Sequence, residues 1–448
     1  MPELKAAAIV LAAGKGTRMK SSLPKVMHRI GGRTLIGHVL DCLAPLGLAR
    51  IVAVIAPGMD SVEQEVAPHG VAFQAEQLGT GHAVGSAREA LKGFSGDVLV
   101  VYGDTPFVAT ATLQRMFERR KAQDNPAIVV LGMRPADPSG YGRLVLGTDG
   151  TLDRIVEHKD ASEAERAIGL ANSGVMAIDG SVAWQLIERL DNKNAKGEFY
   201  LTDIVAFARK DGRRCAVVEA PHEELLGVNS RTELAAAEAM FQARRRLAAM
   251  ENGATLTDPA SVFFAADTRI GRDVVVGPNV QFGLGVEIGD EVEIRAFCHI
   301  EGAKIEQGAT VGPFARIRPR SIIGAGAHVG NFIELKATEI GAGAKANHVS
   351  YVGDTTIGPK VNIGAGTIVC NYDGVNKTRS TIGAGAFIGS DSVLISPVTV
   401  GEGAYVAAGS VITHDVPPDA LAIARGQQVD KPGWATTFRA RQKPKKKG

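Results

Sequence analysis

Apolar residues recur every six positions through the C-terminal part of the chain, at Ile270, Val276, Phe282, Ile288, Ile294 and Ile300. Such a period fits neither a 3.6-residue helix nor an alternating strand. It predicts a parallel β-helix whose coils are built from short, similar rungs. The ladder slips by one residue to Ile305, Val311, Ile317, Ile323, Val329 and Leu335, and again to Ile340, Ala346 and Val352, then runs through Ile357, Ile363 and Val369. It breaks at CNYDGVNKTRS and resumes at Ile382, Ile388, Leu394, Val400, Val406 and Ile412. In segments such as IGAGAH and IGPKVN the aliphatic side chain faces inward and Gly or Ala takes the tight corner. Roughly eight coils stacked at about 4.8 Å would make a prism about 40 Å long. A loop expelled from so rigid a stack is where function is expected.

The first half follows another pattern. Ala6 to Leu11, Ile51 to Ile55 and Val98 to Tyr102 read as buried strands, with amphipathic segments at Leu35 to Leu43 and Ala83 to Leu91. Strands alternating with helices predict an α/β, Rossmann-like, doubly wound and mostly parallel sheet, whose ligands bind beyond the strand C-termini. After Asn229 the chain turns rich in Ala, Glu and Arg, with Leu234, Met240, Phe241 and Leu247 at helical spacing and Asn252-Gly253 as a stop. The expected organisation is a sheet domain over 1–231, a helical linker over 232–252 and a β-helical domain over 253–448 ending in a basic tail.

Composition narrows the function classes. The chain has 448 residues, 45% of them hydrophobic and 22% charged, an ordinary balance for a folded protein of more than one domain. Its net charge is +2, but Arg439, Arg441, Lys443, Lys445, Lys446 and Lys447 carry six positive charges, which leaves the rest at −4. The tail reads as a solvated appendage, and the body is not expected to bind nucleic acid. The four cysteines, Cys42, Cys215, Cys298 and Cys370, lie far apart without CxxC spacing, which argues against zinc and against disulfides and for a reducing cytoplasm. The apolar run near the start covers only Ala6 to Ala13 and follows Glu3, so neither a signal peptide nor membrane insertion is expected.

The first strand leads into LAAGKGTRMKSSLPK. Small residues there let backbone N–H groups approach a phosphate or base, and Lys15, Arg18 and Lys25 supply charge for a polyphosphate. A dinucleotide fingerprint would need Gly where Met19 stands, and a Walker A loop has a different spacing. Alone, Gly14 and Gly16 fit a generic turn equally well. Within the prism, KANHVSYVGD and NIGAGTIVCNYDGVNKT carry polar groups that coil packing does not need.

LAAGKGTRM followed by LPK closely resembles the signature of sugar-1-phosphate nucleotidylyltransferases, and QAEQLGTGHA, YGDTPF, SGYGR, IVEHKD, ANSG, GEFYLTD and GVNSR follow in the expected order. With the left-handed hexapeptide-repeat β-helix behind them, the whole chain resembles the bacterial family of bifunctional N-acetylglucosamine-1-phosphate uridylyltransferase/glucosamine-1-phosphate N-acetyltransferases. That resemblance implies acetylation of glucosamine 1-phosphate by acetyl-CoA, then Mg²⁺-dependent transfer from UTP, giving UDP-N-acetylglucosamine for peptidoglycan and lipopolysaccharide. It implies that Leu11, Ala12, Ala13, Gly14, Gln74, Gly79 and Thr80 hold the uridine nucleotide, that Gly142, Glu157 and Asn172 hold the N-acetylglucosamine portion, and that Lys25, Tyr102, Gly103, Asp104 and Asn229 also contact UDP-N-acetylglucosamine. Asp104 and Asn229 would be Mg²⁺ ligands, with Arg18 and Lys25 offsetting phosphoryl charge.

The same resemblance implies His348 as general base of acetyl transfer. Arg318, Lys336, Tyr351, Asn362 and Lys377 would bind glucosamine 1-phosphate, and Ala365, Asn371, Tyr372, Ser390, Ala408 and Arg425 would contact acetyl-CoA. A lone His on a solenoid face, or Ala365 and Ala408 in ordinary rungs, would otherwise need no function. Direct attack is expected, so Cys370 is not needed as a nucleophile, and the family's homotrimer would hold acetyl-CoA between neighbouring prisms. The alternatives are a monofunctional nucleotidylyltransferase with a purely structural β-helix, and a non-enzymatic scaffold, which would leave LAAGKGTRM unexplained.

Overall fold

The computed structural model describes residues 5–442; Glu3 and tail residues Lys443, Lys445, Lys446 and Lys447 lie outside them. The chain divides into two compact units, one reaching Gln242 and the other starting at Ala243.

The main sheet of the first unit runs Cys215–Glu219, Ile128–Met133, Ala171–Ile178, Asp97–Tyr102, Ala6–Leu11, Arg50–Ile55, Gly70–Phe73. All neighbours are parallel except Ala171–Ile178, which is antiparallel to both strands beside it. The central strands Ala6–Leu11 and Asp97–Tyr102 are almost wholly apolar because both faces are covered. Ala7 and Ile9 belong to one buried layer, and Ala6, Ala8 and Val10 to the other. From Ala6–Leu11 the connections run first to Arg50–Ile55 and Gly70–Phe73, then back to Asp97–Tyr102 on the opposite side. That reversal opens a crevice at the carboxyl ends of Ala6–Leu11 and Asp97–Tyr102.

Helix Leu35–Leu43 forms where the apolar spacing places it, capped by the Thr34 hydroxyl, which accepts from Gly37 N–H at 3.0 Å. The expected segment Ala83 to Leu91 is instead a short helix, Thr80–Ser86, followed by a tighter turn, Glu89–Leu91. Arg88 N–H reaches only to Gly85 O at 3.1 Å, the i to i−3 bond typical of a helix that narrows at its end.

The connector helix is Arg231–Glu251. Its first part belongs to the first unit, where Gly31 N–H donates to Glu238 at 2.8 Å. Its last turns belong to the second, where Arg245 donates to Thr268 O at 2.5 Å and Arg246 to Val262 O at 2.7 Å.

The second unit is the β-helix. Its strands, mostly two or three residues long, stack in parallel columns. One column of eight runs from Arg269–Ile270 through Glu287–Ile288, Ala303–Ile305, Ser321–Ile323, Glu339–Ile340, Thr355–Ile357 and Ser380–Ile382 to Thr399–Val400. Its inward residues Ile288, Ile305, Ile323, Ile340, Ile357, Ile382 and Val400 are buried in one continuous core. The long strands His328–Lys336 and Lys345–Gly353 each belong to two further columns, pairing with neighbours of both. The expelled segment leaves the stack after Ile368–Cys370 and returns at Ser380–Ile382.

Candidate functional sites

The crevice of the first unit holds a cavity of about 390 Å³ lined by Leu11, Ala12, Ala13, Gly14, Lys25, Gln74, Gly79, Thr80, Tyr102 and Asp104. The loops leaving the two central strands are tied by Gly103, whose N–H donates to Leu11 O at 3.0 Å. An adjoining cavity of about 240 Å³ is lined by Gly142, Glu157 and Asn172 and shares Thr80, Tyr102 and Glu198 with the first. Thus two subsites meet at Tyr102. Its ring lies where a side chain on Gly174 would stand, since a Cβ there would come within 2.6 Å of it. Burial pushes the Tyr102 phenol pKa up, so it remains a neutral donor. Burial also raises Glu157, only partly countered by the Thr202 hydroxyl donating to it at 3.2 Å and by the Lys196 charge.

At the mouth of the first cavity the Lys25 ammonium contacts the Asp104 carboxylate and donates to Asn229 Oδ1 at 3.1 Å. A carboxylate and an amide oxygen converge on one positive charge, a hard-oxygen donor set that fits a divalent cation with phosphates and water completing it. Among the described residues no cluster of three or more His, Cys, Asp or Glu could by itself hold a metal. Arg18 sits exposed on the turn Thr17–Met19 and does not line the cavity.

In the second unit the polar residues gather on successive coils, with Arg318, Lys336, Tyr351 and Asn371 each one coil further along the stack. Lys336 Nζ donates to Asp354 Oδ2 at 2.6 Å, and Asn371 Nδ2 donates to the same oxygen at 2.5 Å. The Tyr351 hydroxyl donates to Asn371 Oδ1 at 3.4 Å. Burial would raise the Asp354 carboxyl, but the hydrogen bonds from Lys336 and Asn371 and the Lys336 and Arg320 charges hold it below the usual carboxylate range. His348 is exposed, its Nδ1 lying 3.0 Å from Asn331 Oδ1 on the neighbouring coil, the residue directly opposite in register. Arg318 pairs with Glu334 at 3.0 Å.

The remaining expected residues are more dispersed. Asn362 opens the strand Asn362–Ile363, and Lys377 is exposed in the expelled loop, where it bridges Tyr372 across a small antiparallel turn. Ala365 O accepts from Asp391 N–H at 2.7 Å, Ser390 is exposed, and Ala408 O accepts from Arg425 at 2.5 Å.

The MobA-like NTP transferase domain family matches residues 8–173, and the bacterial transferase hexapeptide (six repeats) family matches 267–302 and 379–414. Over its full length the chain is similar to the bifunctional protein GlmU of Paramagnetospirillum magneticum, 58% identical with 100% of this chain and 99% of the relative covered. The GlmU proteins of Rhodospirillum rubrum (58% identical, 97% and 98% covered) and Zymomonas mobilis (50%, 98% and 98%) match similarly. The chain belongs to the bifunctional GlmU family.

As a GlmU-family enzyme it joins a nucleotidyltransferase domain to a hexapeptide transferase domain, and the former is of a kind compatible with a divalent metal. No described helix is long and apolar enough to cross a membrane. The hexapeptide match skips 303–378, the stretch that holds the polar network and the one-residue slips.

Several residues at these cavities and in the polar network were not singled out from sequence. Glu198, Tyr200 and Thr202 line the cavities from within GEFYLTD, and Gln77 donates to Ala13 O at 2.5 Å across the first. Asp354, Asn331 and Glu334 are partners reached by stepping one coil from Lys336, His348 and Arg318. Coil spacing was the signal that could have found them.

Proposed function

We propose that this chain makes UDP-N-acetylglucosamine in two steps, acetylating glucosamine 1-phosphate in the β-helix and joining the product to UMP from UTP in the sheet domain. The observation that carries the reading is the pair of contiguous subsites meeting at Tyr102 beside the Lys25–Asp104–Asn229 cluster. A nucleotide fits the first cavity, against Leu11 to Gly14, Gln74, Gly79 and Thr80, while buried Gly103 ties the loops behind it. The acetylated sugar fits the second, where Gly142, Glu157 and Asn172 offer hydrogen bonds.

Asp104 and Asn229 would hold Mg²⁺, whose charge would offset that on the phosphates when bound. The protein itself supplies no nucleophile. The sugar phosphate oxygen attacks the α-phosphorus, the bond to the bridging oxygen breaks and pyrophosphate leaves. Lys25, which lines the nucleotide cavity, neutralises charge gathering on the phosphoryl oxygens, a part that Arg18 does not reach from its exposed turn, and positioning by the two cavities lowers the entropic part of the barrier.

In the β-helix, Arg318 and Lys336 would take the sugar phosphate, with Tyr351, Asn362 and Lys377 around the sugar. Ala365, Asn371, Tyr372, Ser390, Ala408 and Arg425 would lie along acetyl-CoA. With Asn331 Oδ1 accepting at Nδ1, the His348 ring has its Nε2 lone pair free to take a proton from the amine. The nitrogen then attacks the thioester carbonyl, the C–S bond breaks and the thiolate of CoA takes up a proton.

The family's trimer is supported here by a ridge of stacked rings. Phe297, Phe314 and Phe332 stack at 4.9 and 5.1 Å between centroids, yet remain 51, 45 and 57% exposed, and Val349 beside His348 continues the ridge at 56%. So much contiguous apolar surface marks an interface, and its occupant is read here as further copies of this chain. Phe314→Ser with Phe332→Ser should therefore sediment as a smaller species and lose acetyl transfer while uridylyl transfer persists. Trimer-sized protein with full acetyltransferase activity would refute this.

A two-substrate-set assay tests the whole reading: purified protein given glucosamine 1-phosphate, acetyl-CoA, UTP and Mg²⁺ should release CoA and pyrophosphate and yield UDP-N-acetylglucosamine. Pyrophosphate release only when N-acetylglucosamine 1-phosphate is supplied would leave the monofunctional alternative.

A further inference from the structure

The side chain of Gln74 is buried, 4% exposed, at the wall of the nucleotide cavity. Its Nε2 donates to Gly79 O at 3.1 Å and lies 3.1 Å from His82 Nδ1. A carbonyl oxygen can only accept, so the contact with Gly79 fixes which end of the amide is nitrogen. Both amide hydrogens are then committed if His82 accepts the second, which requires its proton on Nε2. The amide oxygen has no hydrogen-bond partner among the described residues and is not a buried orphan, so it opens to the cavity.

The surroundings hold this arrangement firmly. Gly79 lies at φ +108°, and a Cβ there would approach Phe199 O within 2.7 Å, so only glycine can aim its carbonyl this way. The His82 ring packs beside Phe199, 6.3 Å between centroids. Phe199 is itself pinned by Leu78 O, which accepts from its N–H at 2.7 Å, and by Gly81 N–H, which donates to its carbonyl at 2.8 Å.

We propose that His82 is a positioning residue for base selection: by accepting from Gln74, it locks the amide so that an oxygen, and not an N–H, faces the base. Uracil presents a donor at N3, which that oxygen accepts. Cytosine presents an acceptor at N3, and two acceptors would face each other. Without His82, the freed amide hydrogen in a buried wall seeks another partner, and the amide can swing to present it to cytosine. This inference rests on the reading that Gln74 meets the base.

The test measures kcat/KM of the full-length protein for UTP and for CTP. His82→Leu removes the acceptor and keeps apolar bulk; it should lower the UTP:CTP ratio roughly tenfold, the scale of one lost buried hydrogen bond. His82→Asn places an oxygen near the position of Nδ1 and should restore the ratio, which a merely structural role of the ring would not. Should the leucine variant fold poorly, His82→Ala takes its place, since it removes the acceptor without overfilling the site. An unchanged ratio in a folded acceptor-free variant overturns the proposal, as does a ratio lost equally in His82→Asn. Gln74→Leu separates the two levels. If it leaves UTP use intact, the base contact itself is wrong; if it impairs UTP use while His82→Leu does not, only the role of His82 falls.

Discussion

His348→Ala should lower the acetyltransferase kcat by about 10²- to 10⁴-fold, the usual contribution of a general base, with little change in acetyl-CoA affinity. The imidazole would act on the amine and not on the coenzyme, so the loss belongs in kcat. Asn331 refines the expectation. Asn331→Ala should reproduce a part of the kcat loss, because the ring then loses the acceptor 3.0 Å from its Nδ1 that keeps the Nε2 lone pair outward. Cys370→Ala should stay active. An acetyl group trapped on Cys370 as a competent intermediate, or wild-type turnover by His348→Ala at neutral pH, would require a different mechanism.

Asp104→Ala should abolish UDP-N-acetylglucosamine formation and leave acetyl transfer nearly intact. Asp104 is the carboxylate against which the Lys25 ammonium rests, and without it Lys25 keeps only Asn229. The cluster then loses the negative charge that attracts a divalent cation. Since the two units have separate cores, the damage should not spread to the β-helix. Release of pyrophosphate from UTP and of CoA from acetyl-CoA, measured on the same preparation, reads both activities. Near-normal pyrophosphate release would remove Asp104 from the metal site.

The architecture was legible because each half obeys a strict local rule. Period-six apolar positions leave little freedom but to coil, and residues such as Ile288, Ile323 and Ile382 face inward as the ladder requires. The central strands were readable because they are apolar without alternation. The failed helix over Ala83 to Leu91 had the right apolar spacing, but Gly85 sits where the helix narrows, and amphipathicity alone carries no signal for that.

The sites were legible in unequal measure. Motif order pointed to the loops lining the cavities. However, the contact of Lys25 with Asp104 and Asn229 joins positions 79 and 204 residues apart, which no local pattern encodes. Asp354 closes the segment KANHVSYVGD with no local pattern to set it apart, and its meaning appears only when Lys336 and Asn371 close on it. Arg18 carried the right charge but lies exposed outside the cavity wall.

The stacking of Asn331 against His348 makes the coil a ruler for engineering. Arg269 pairs with Glu287 and Ile270 with Ile288, so residues 269–286 make up one complete turn of the stack. Excising them would splice Thr268 to Glu287 in register, shortening the stack by one layer of about 4.8 Å and carrying the site above it down as a rigid block. Removing a single residue between Asn331 and His348 would do the opposite: the length would barely change, yet His348 would be turned away from its partner. For this protein, whole-layer surgery should be gentler than the smallest possible deletion.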